Sequence, residues 1–154
     1  ISGEQMSAIT AENAAKQDFM PLMRELVRAY QAFAAVDAAG YRDTDLTVAQ
    51  ADVLFTLGNT AGLTFKDIGE QTLITKGTLT GVVDRMEEKG LVRRIALADD
   101  RRCTRVVLTA KGNRLFQKEF PRQVAYIKQH FDRLDKASQK QALESLRKIR
   151  DIFS

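Results

Sequence analysis

Near the N-terminus, apolar residues recur at helical spacing. Between about Thr10 and Ala38 they lie three or four positions apart, which places them on one face of an α-helix. They are Phe19, Leu22, Met23, Leu26, Val27, Tyr30, Phe33 and Ala34. The pattern predicts one long amphipathic helix that is kinked near its start by Pro21 and ended by Gly40.

Capping residues predict three shorter helices in the middle of the chain. Thr47 followed by Gln50 is a capping box, in which each side chain hydrogen-bonds the backbone of the other residue. Thr64 before Asp67 marks a second helix start, and Thr75 marks a third. The inward faces are predicted to contain Val53, Leu54, Leu57, Phe65, Ile68, Leu73, Leu79, Val82, Val83 and Met86. These helices, ended by Gly90, predict a helix-turn-helix.

After Gly90 the period of the pattern changes from 3.6 to 2. Residues Leu91, Arg93 and Ile95 alternate with Val92, Arg94 and Ala96. A second strand is predicted from about Thr104 to Leu108, after a charged loop of about five residues or more. A helix-turn-helix followed by such a hairpin is a winged helix, so the predicted fold is mostly α with a small β-hairpin wing.

Two amphipathic helices are predicted after the hairpin. Thr109 caps the first, with Pro121 as a kink, and a capping box at 138–141 starts the second. Their apolar residues are Phe116, Phe120, Val124, Ile127, Phe131, Leu143, Leu146, Ile149, Ile152 and Phe153. The long helices carry more apolar surface than the small middle can cover, which favours a second copy of the chain as partner.

The predicted organisation therefore has three parts. Residues 1–43 form an N-terminal dimerisation helix, 44–112 a winged helix-turn-helix domain, and 113–154 C-terminal dimerisation helices. The candidate dimerisation residues are Leu22, Leu26, Phe131, Leu146, Ile149 and Phe153.

The positive charge is concentrated in the predicted winged segment. The chain of 154 residues has a net charge of +4, but between Lys76 and Arg114 ten basic residues face five acidic ones. That quarter carries +5 and the rest −1, which is the charge distribution of a nucleic-acid-binding protein. A basic solvated face is the plainer alternative.

Other classes of protein find little support in the sequence. There is no catalytic Ser/His/Asp or Cys/His set, no P-loop and no zinc-ligand spacing, so we expect neither an enzyme nor a metal or other cofactor. His130 is the only histidine, and we expect it to be an ordinary helix residue. No apolar run reaches membrane-spanning length, no signal peptide is recognised, and the single cysteine favours a reducing cytoplasm.

The third short helix is the candidate recognition helix. Its apolar stripe faces inward, which leaves Lys76, Gly77, Thr78, Thr80, Gly81, Asp84 and Arg85 outside. Two glycines inside a helix each cost about 1 kcal/mol relative to alanine. On the outer face they would let the helix backbone approach a duplex closely, with threonine and lysine side chains reaching phosphates or base edges. An ordinary surface helix is the alternative.

Residues 46–112 resemble the MarR family of bacterial transcription regulators. The resemblance rests on Leu-Thr-x-x-Gln at 46–50, Thr-x-Thr at 78–80, Asp-Arg-Met-Glu-x-Lys-Gly-Leu-Val at 84–92, Asp-x-Arg at 100–102 and Leu-Thr-x-Lys-Gly at 108–112. It implies a homodimeric winged helix-turn-helix protein that binds palindromic double-stranded DNA. Most such proteins repress genes and release DNA on binding a small anionic or phenolic ligand, and some sense oxidants through cysteine.

The resemblance also assigns roles to the wing. It implies that Arg102 enters the minor groove and that Asp100 orients it; a narrow minor groove favours a guanidinium. We expect Arg101 and Arg105 to contact phosphate or solvent, and at most one of Arg93 and Arg94 to face DNA. Cys103 is expected to have no sensing role.

An effector is expected between the dimerisation helices and the winged domain, near Phe19, Met23, Tyr30 or Phe55, although such residues are more often plain core. Two other functions remain open. One is a non-specific architectural DNA-binding protein. The other is a protein-interaction module that uses the helices.

Overall fold

The computed structural model describes the backbone of residues 8–97 and 100–154. It describes the side chains of residues 8–96 and 104–154. The chain forms two compact units, Ile1–Val36 and Asp37–Ser154. Each is described by itself.

The N-terminal unit contains a short 3-10 turn, Ala14–Lys16, and most of helix α1, Met20–Ala39. The predicted helix start near Thr10 is wrong. Thr10 and Asn13 instead close a separate turn, in which each backbone N–H donates to the other side chain at 2.9 and 3.3 Å. Pro21 lies in the first turn of α1, where its missing N–H costs nothing, so it marks the helix start rather than an interior kink.

Three short helices follow in the second unit: α2, Val48–Leu57; α3, Phe65–Gln71; and α4, Lys76–Glu88. The capping box is confirmed, since Gln50 N–H donates to Thr47 Oγ1 at 3.1 Å and Thr47 N–H to Gln50 Oε1 at 3.3 Å. Thr64 caps α3 as predicted. Thr75 precedes α4, but its hydroxyl donates to the Thr78 hydroxyl instead of accepting from a backbone amide.

The wing contains three antiparallel strands in the order β1-β3-β2: β1, Leu63–Thr64; β2, Val92–Leu97; and β3, Asp100–Leu108. Within the hairpin Arg94 pairs with Val106, and the register shifts between Ala96 and Leu97. The predicted start of the second strand at Thr104 is wrong, because Leu97 already pairs with Asp100. Strand β3 begins with a charged run that carries no apolar alternation, and the two-residue β1 is too short to show a period.

The core of the second unit lies between α2, α3, α4, the sheet and the start of α5. Its fully buried side chains include Leu54, Leu57, Ile68, Leu79, Met86, Val53, Val83, Val92 and Val106. The predicted burial of Leu73 is wrong, since this residue is 93% exposed. Thr72 takes the inward position at the end of α3, where its hydroxyl donates to the Ile68 carbonyl at 2.8 Å.

Two long helices complete the chain: α5, Ala110–Phe131, and α6, Lys136–Phe153. Thr109 caps α5 as predicted, and α5 continues through Pro121. The predicted cap at Ser138 is wrong. Asp135 caps α6 by accepting from Ser138 N–H at 2.7 Å, a bond that lowers the pKa of the Asp135 carboxyl. A carboxylate also complements the positive end of the helix dipole, which a serine hydroxyl does not.

Candidate nucleic-acid interface

Helix α4 presents two different faces. Leu79, Val82, Val83 and Met86 are buried in the core. The opposite face is exposed or half-buried and contains Lys76, Gly77, Thr78, Thr80, Gly81, Asp84 and Arg85. All the predicted recognition-helix residues therefore lie on one outer surface of this helix.

The two glycines on this face have no packing role within the described part of the chain. A Cβ atom on Gly77 would meet nothing within 4 Å, and one on Gly81 would meet only Arg85 Nη1, at 3.9 Å. Gly112 shows the opposite case, because a Cβ atom there would lie 2.0 Å from the Leu91 carbonyl oxygen. The packing of the chain thus explains Gly112, whereas Gly77 and Gly81 leave the backbone of α4 open to something outside.

Arg94 of β2 is turned toward α4. Its Nη1 lies 3.1 Å from Glu87 Oε1, its Nη2 pairs with Asp84 Oδ1, and its backbone N–H donates to Glu87 Oε2 at 3.3 Å. Its guanidinium carbon lies 5.5 Å from the ring centroid of Phe65, at the start of α3. The hydrogen bond to Asp84 raises the pKa of Arg94. Arg93, next to it in β2, is exposed.

Two lysines of the basic segment are also engaged inside the protein. Lys89 Nζ lies 3.0 Å from Gln50 Oε1 and 3.5 Å from Asp45 Oδ2. Lys111 Nζ donates to the Lys89 carbonyl at 2.8 Å and so supports the end of α4. The sequence count of basic residues therefore overstates the charge available to DNA, because charge patterning does not show which cations have internal partners.

The predicted wing-tip contacts fall largely outside the described side chains. These are the side chains of Asp100, Arg101 and Arg102, together with that of Cys103. Arg105 is half-buried, lies opposite Thr64 and Ile95 in the sheet, and packs its aliphatic carbons near Gly62. The roles expected for these residues remain predictions.

The structure places the predicted effector residues in two units. Phe19, Met23 and Tyr30 are exposed in the N-terminal unit. Phe55 is half-buried in the second unit within an aromatic cluster, with ring centroids 5.1 Å from Phe120, 6.1 Å from Tyr41 and 6.5 Å from Phe116. Phe55 thus has a packing role in its own unit.

The end of α1 and helix α5 share a polar cluster that was not predicted from the sequence. Gln123 Nε2 donates to the Asp37 carbonyl at 3.1 Å and to the Asp37 carboxylate at 2.9 Å. Arg122 donates to the Gly40 carbonyl at 2.7 Å and pairs with the buried Glu119 at 2.6 Å. Desolvation and the charge of Asp37 raise the pKa of the nearby Asp52, although its side chain is exposed to solvent. Polar residues inside an amphipathic helix give no sequence signal that distinguishes burial from exposure.

The candidate dimerisation residues are unevenly exposed. Leu22 is 55% exposed in the N-terminal unit. Phe131, Leu146 and Phe153 are 50%, 54% and 78% exposed in the second unit, together with Leu134, Leu143 and Ile152. Leu26 and Ile149 are half-buried. Helices α5 and α6 therefore carry an apolar face of their own.

Three other observations concern the described residues alone. Their His, Cys, Asp and Glu side chains form no group of three that could hold a metal ion. His130 is a helix residue whose Nδ1 lies 3.2 Å from the Tyr126 carbonyl oxygen. None of the described helices combines the length and the apolarity needed to cross a membrane.

A helix-turn-helix whose last helix is followed by a small antiparallel sheet defines a winged helix-turn-helix protein. A model of the MarR family matches residues 44–102. The HTH-type transcriptional regulator SarZ of Staphylococcus saprophyticus is 30% identical over 89 residues, which are 58% of this chain and 56% of that relative. The chain thus spans little more than half the length of SarZ.

Solved structures extend the likeness to nearly the whole chain. Bordetella bronchiseptica BpsR, whose DNA binding is regulated by 6-hydroxynicotinic acid, is 28% identical with a TM-score of 0.76, covering 88% of this chain and 96% of that one. Sco3205 of Streptomyces coelicolor, in complex with DNA, shares the fold at 24% identity and a TM-score of 0.78, covering 96% and 94%. The family model, the relatives and the solved structures thus agree in their similarity to the MarR family, a family of transcription regulators and not of enzymes.

Proposed function

We propose that the protein is a sequence-specific DNA-binding transcription regulator that places α4 in the major groove. The outer face of α4 carries this proposal, because its two glycines have no packing role in the described chain and leave the backbone open to a duplex. The proposed DNA contacts are Lys76, Gly77, Thr78, Thr80, Gly81 and Arg85 on α4, and Asp100, Arg101, Arg102 and Arg105 on the wing. The match of the MarR family model to residues 44–102 supports the α4 set and the wing set as far as Arg102.

We further propose that the protein acts as a homodimer on palindromic sites. The apolar faces of α1 and of α5 with α6 are exposed within their own units and need a partner. A second copy would bring a second recognition helix, and two such helices read half-sites about one helical turn apart. A symmetric protein therefore matches a palindrome.

Regulation by a small ligand completes the proposal. Release of DNA by an anionic or phenolic compound, with the protein acting as a cytoplasmic repressor, is typical of this family. The ligand dependence of BpsR supports it. The candidate effector residues remain Phe19, Met23 and Tyr30 within the N-terminal unit and Phe55 within the second unit.

The test begins by selecting duplexes from a random pool with the full-length protein. We expect a palindromic consensus, a strong preference for it over scrambled DNA, and a mass of two chains per site by light scattering. 6-Hydroxynicotinic acid then serves as an anionic probe that is expected to reduce binding. Equal affinity for all duplexes would favour the architectural alternative, and absence of DNA binding would favour a protein-interaction module.

A further inference from the structure

Three elements of the winged domain meet at the guanidinium of Arg94. The residue belongs to β2, its carboxylate partners Asp84 and Glu87 belong to α4, and the Phe65 ring that it covers belongs to α3. The Arg94 backbone N–H also donates to Glu87. One side chain thus connects β2 of the wing to both α3 and α4 of the helix-turn-helix.

The geometry leaves Arg94 poorly placed to contact phosphate. Two of its nitrogens are committed to carboxylates, one face of the guanidinium lies against the Phe65 ring, and its side chain is 31% exposed. Arg93 is the natural comparison, because it carries the same charge one position earlier and is exposed on the other face of the strand.

We infer that Arg94 is a positioning residue for DNA recognition, which holds α4 and the wing in the relative orientation that fits a duplex without itself touching DNA. The inference rests on the proposed function. A recognition helix and a wing reach two different grooves, so a change in the angle between them weakens contacts that both make at one site. Binding to random DNA depends mainly on charge and is less sensitive to that angle.

The two acids make this role distinguishable from a plain charge effect. The side chains of Asp84 and Glu87 are 50% and 41% exposed on the helix proposed to face DNA. Replacing both by amides adds two positive units near the duplex, which by electrostatics alone would tighten binding. If the acids anchor Arg94, the same replacement weakens binding to the preferred site. The two accounts predict opposite signs.

The experiment compares a duplex selected by the wild-type protein with a scrambled duplex of equal length, over a series of salt concentrations. The variants are Arg94→Gln, the control Arg93→Gln, the pair Asp84→Asn with Glu87→Gln, and the triple combination. We expect Arg94→Gln and the acid pair each to lower the preference for the selected duplex by about tenfold, and the triple variant to lose little more, because coupled residues are not additive. Arg93→Gln is expected to leave the preference unchanged.

Several results would overturn the inference. A phosphate contact at Arg94 would lower the salt slope by about one, whereas positioning leaves the slope unchanged. Tighter binding of the selected duplex by the acid pair would show that the acids act only as charges. An unchanged preference in Arg94→Gln would exclude a positioning role.

Circular dichroism of each variant distinguishes loss of folding from a changed orientation of α4 and the wing. If Arg94→Gln does not fold, the variant with Asp84→Asn and Glu87→Gln tests the inference instead. A wild-type protein with no preference for its selected duplex would overturn the proposed function itself, and the inference with it.

Discussion

At the scale of single residues, Gly77 and Gly81 carry opposite expectations for stability and for DNA binding. An alanine in a helix interior is favoured over glycine by about 1 kcal/mol when it meets no clash. The space around both positions is open in the described structure. The two glycines therefore lower the stability of α4 without any gain in packing, which is consistent with a close approach by another molecule to its outer face.

Because Gly77 lies in the first turn of α4, Gly77→Ala is expected to raise the free energy of unfolding by only part of the roughly 1 kcal/mol that alanine gains over glycine in a helix interior. The added methyl group would at the same time hold a duplex away from the helix and lower DNA affinity by about tenfold, the range for one specific contact. Urea unfolding and a titration with the selected duplex measure the two effects.

Gly112→Ala serves as the matched control. Its Cβ atom would overlap the Leu91 carbonyl, so this variant is expected to lose about 1–3 kcal/mol of stability. A Gly77→Ala protein that binds DNA as tightly as the wild type would contradict the close-approach interpretation of α4.

At the scale of elements, local chemistry made most helix boundaries predictable. Thr47, Thr64 and Thr109 each cap a helix as expected, because the cap depends on neighbours three residues away.

The predictions that were wrong had non-local or competing causes. Thr72 took the buried position expected for Leu73, and β3 extends through a charged run whose pairing depends on the partner strand. The outer face of α4 was predictable from its apolar stripe. The internal partners of Arg94, Lys89 and Lys111 were not, because they lie on other elements that only the fold brings together.

The junction of α1, α2 and α5 gives a pH-dependent expectation at this scale. Desolvation by the surrounding protein and the charge of Asp37 raise the pKa of Asp52 in the folded protein, although its side chain is exposed, so its ionised form slightly destabilises the fold above that pKa. Below the unfolded pKa of about 3.9 the carboxyl is protonated in both states and the penalty disappears. Asp52→Asn is therefore expected to be more stable than the wild type at pH 7 and to lose this advantage below about pH 3.9.

Urea unfolding at a single protein concentration, at neutral and at acidic pH, checks this sign. Asp67→Asn is a useful comparison, since Asp67 lies in the first turn of α3, away from the Asp37 cluster. An Asp52→Asn protein with lower stability at pH 7 would show that the Asp52 carboxylate is favourable in the fold.

At the scale of the whole molecule, specificity for DNA is expected to depend on helices that carry little of the positive charge. Each chain contributes one winged domain, whose internal ion pairs reduce the positive charge available to phosphates. A single winged domain is expected to bind DNA weakly and with strong salt dependence. Two winged domains held at a fixed spacing are expected to discriminate much better between sequences, because both half-sites must match at once. The apolar surface of the terminal helices is the available means of holding them.

The last prediction tests this dependence at α6. Burying a large apolar side chain contributes roughly 1.5–3 kcal/mol, so two aspartates within the proposed interface outweigh much of its stability. Leu146→Asp with Ile149→Asp is expected to give monomers that keep their helix content, bind random DNA with the wild-type salt dependence and lose nearly all preference for the selected palindrome. Ser145→Asp with Lys148→Asp, at the same spacing on exposed polar positions of the helix, is expected to remain dimeric.

Light scattering measures the oligomeric state of these variants, and DNA competition measures their preference for the palindrome. A Leu146 and Ile149 variant that is still dimeric would place the interface elsewhere, and a monomer with undiminished palindrome preference would show that one winged domain is sufficient for recognition.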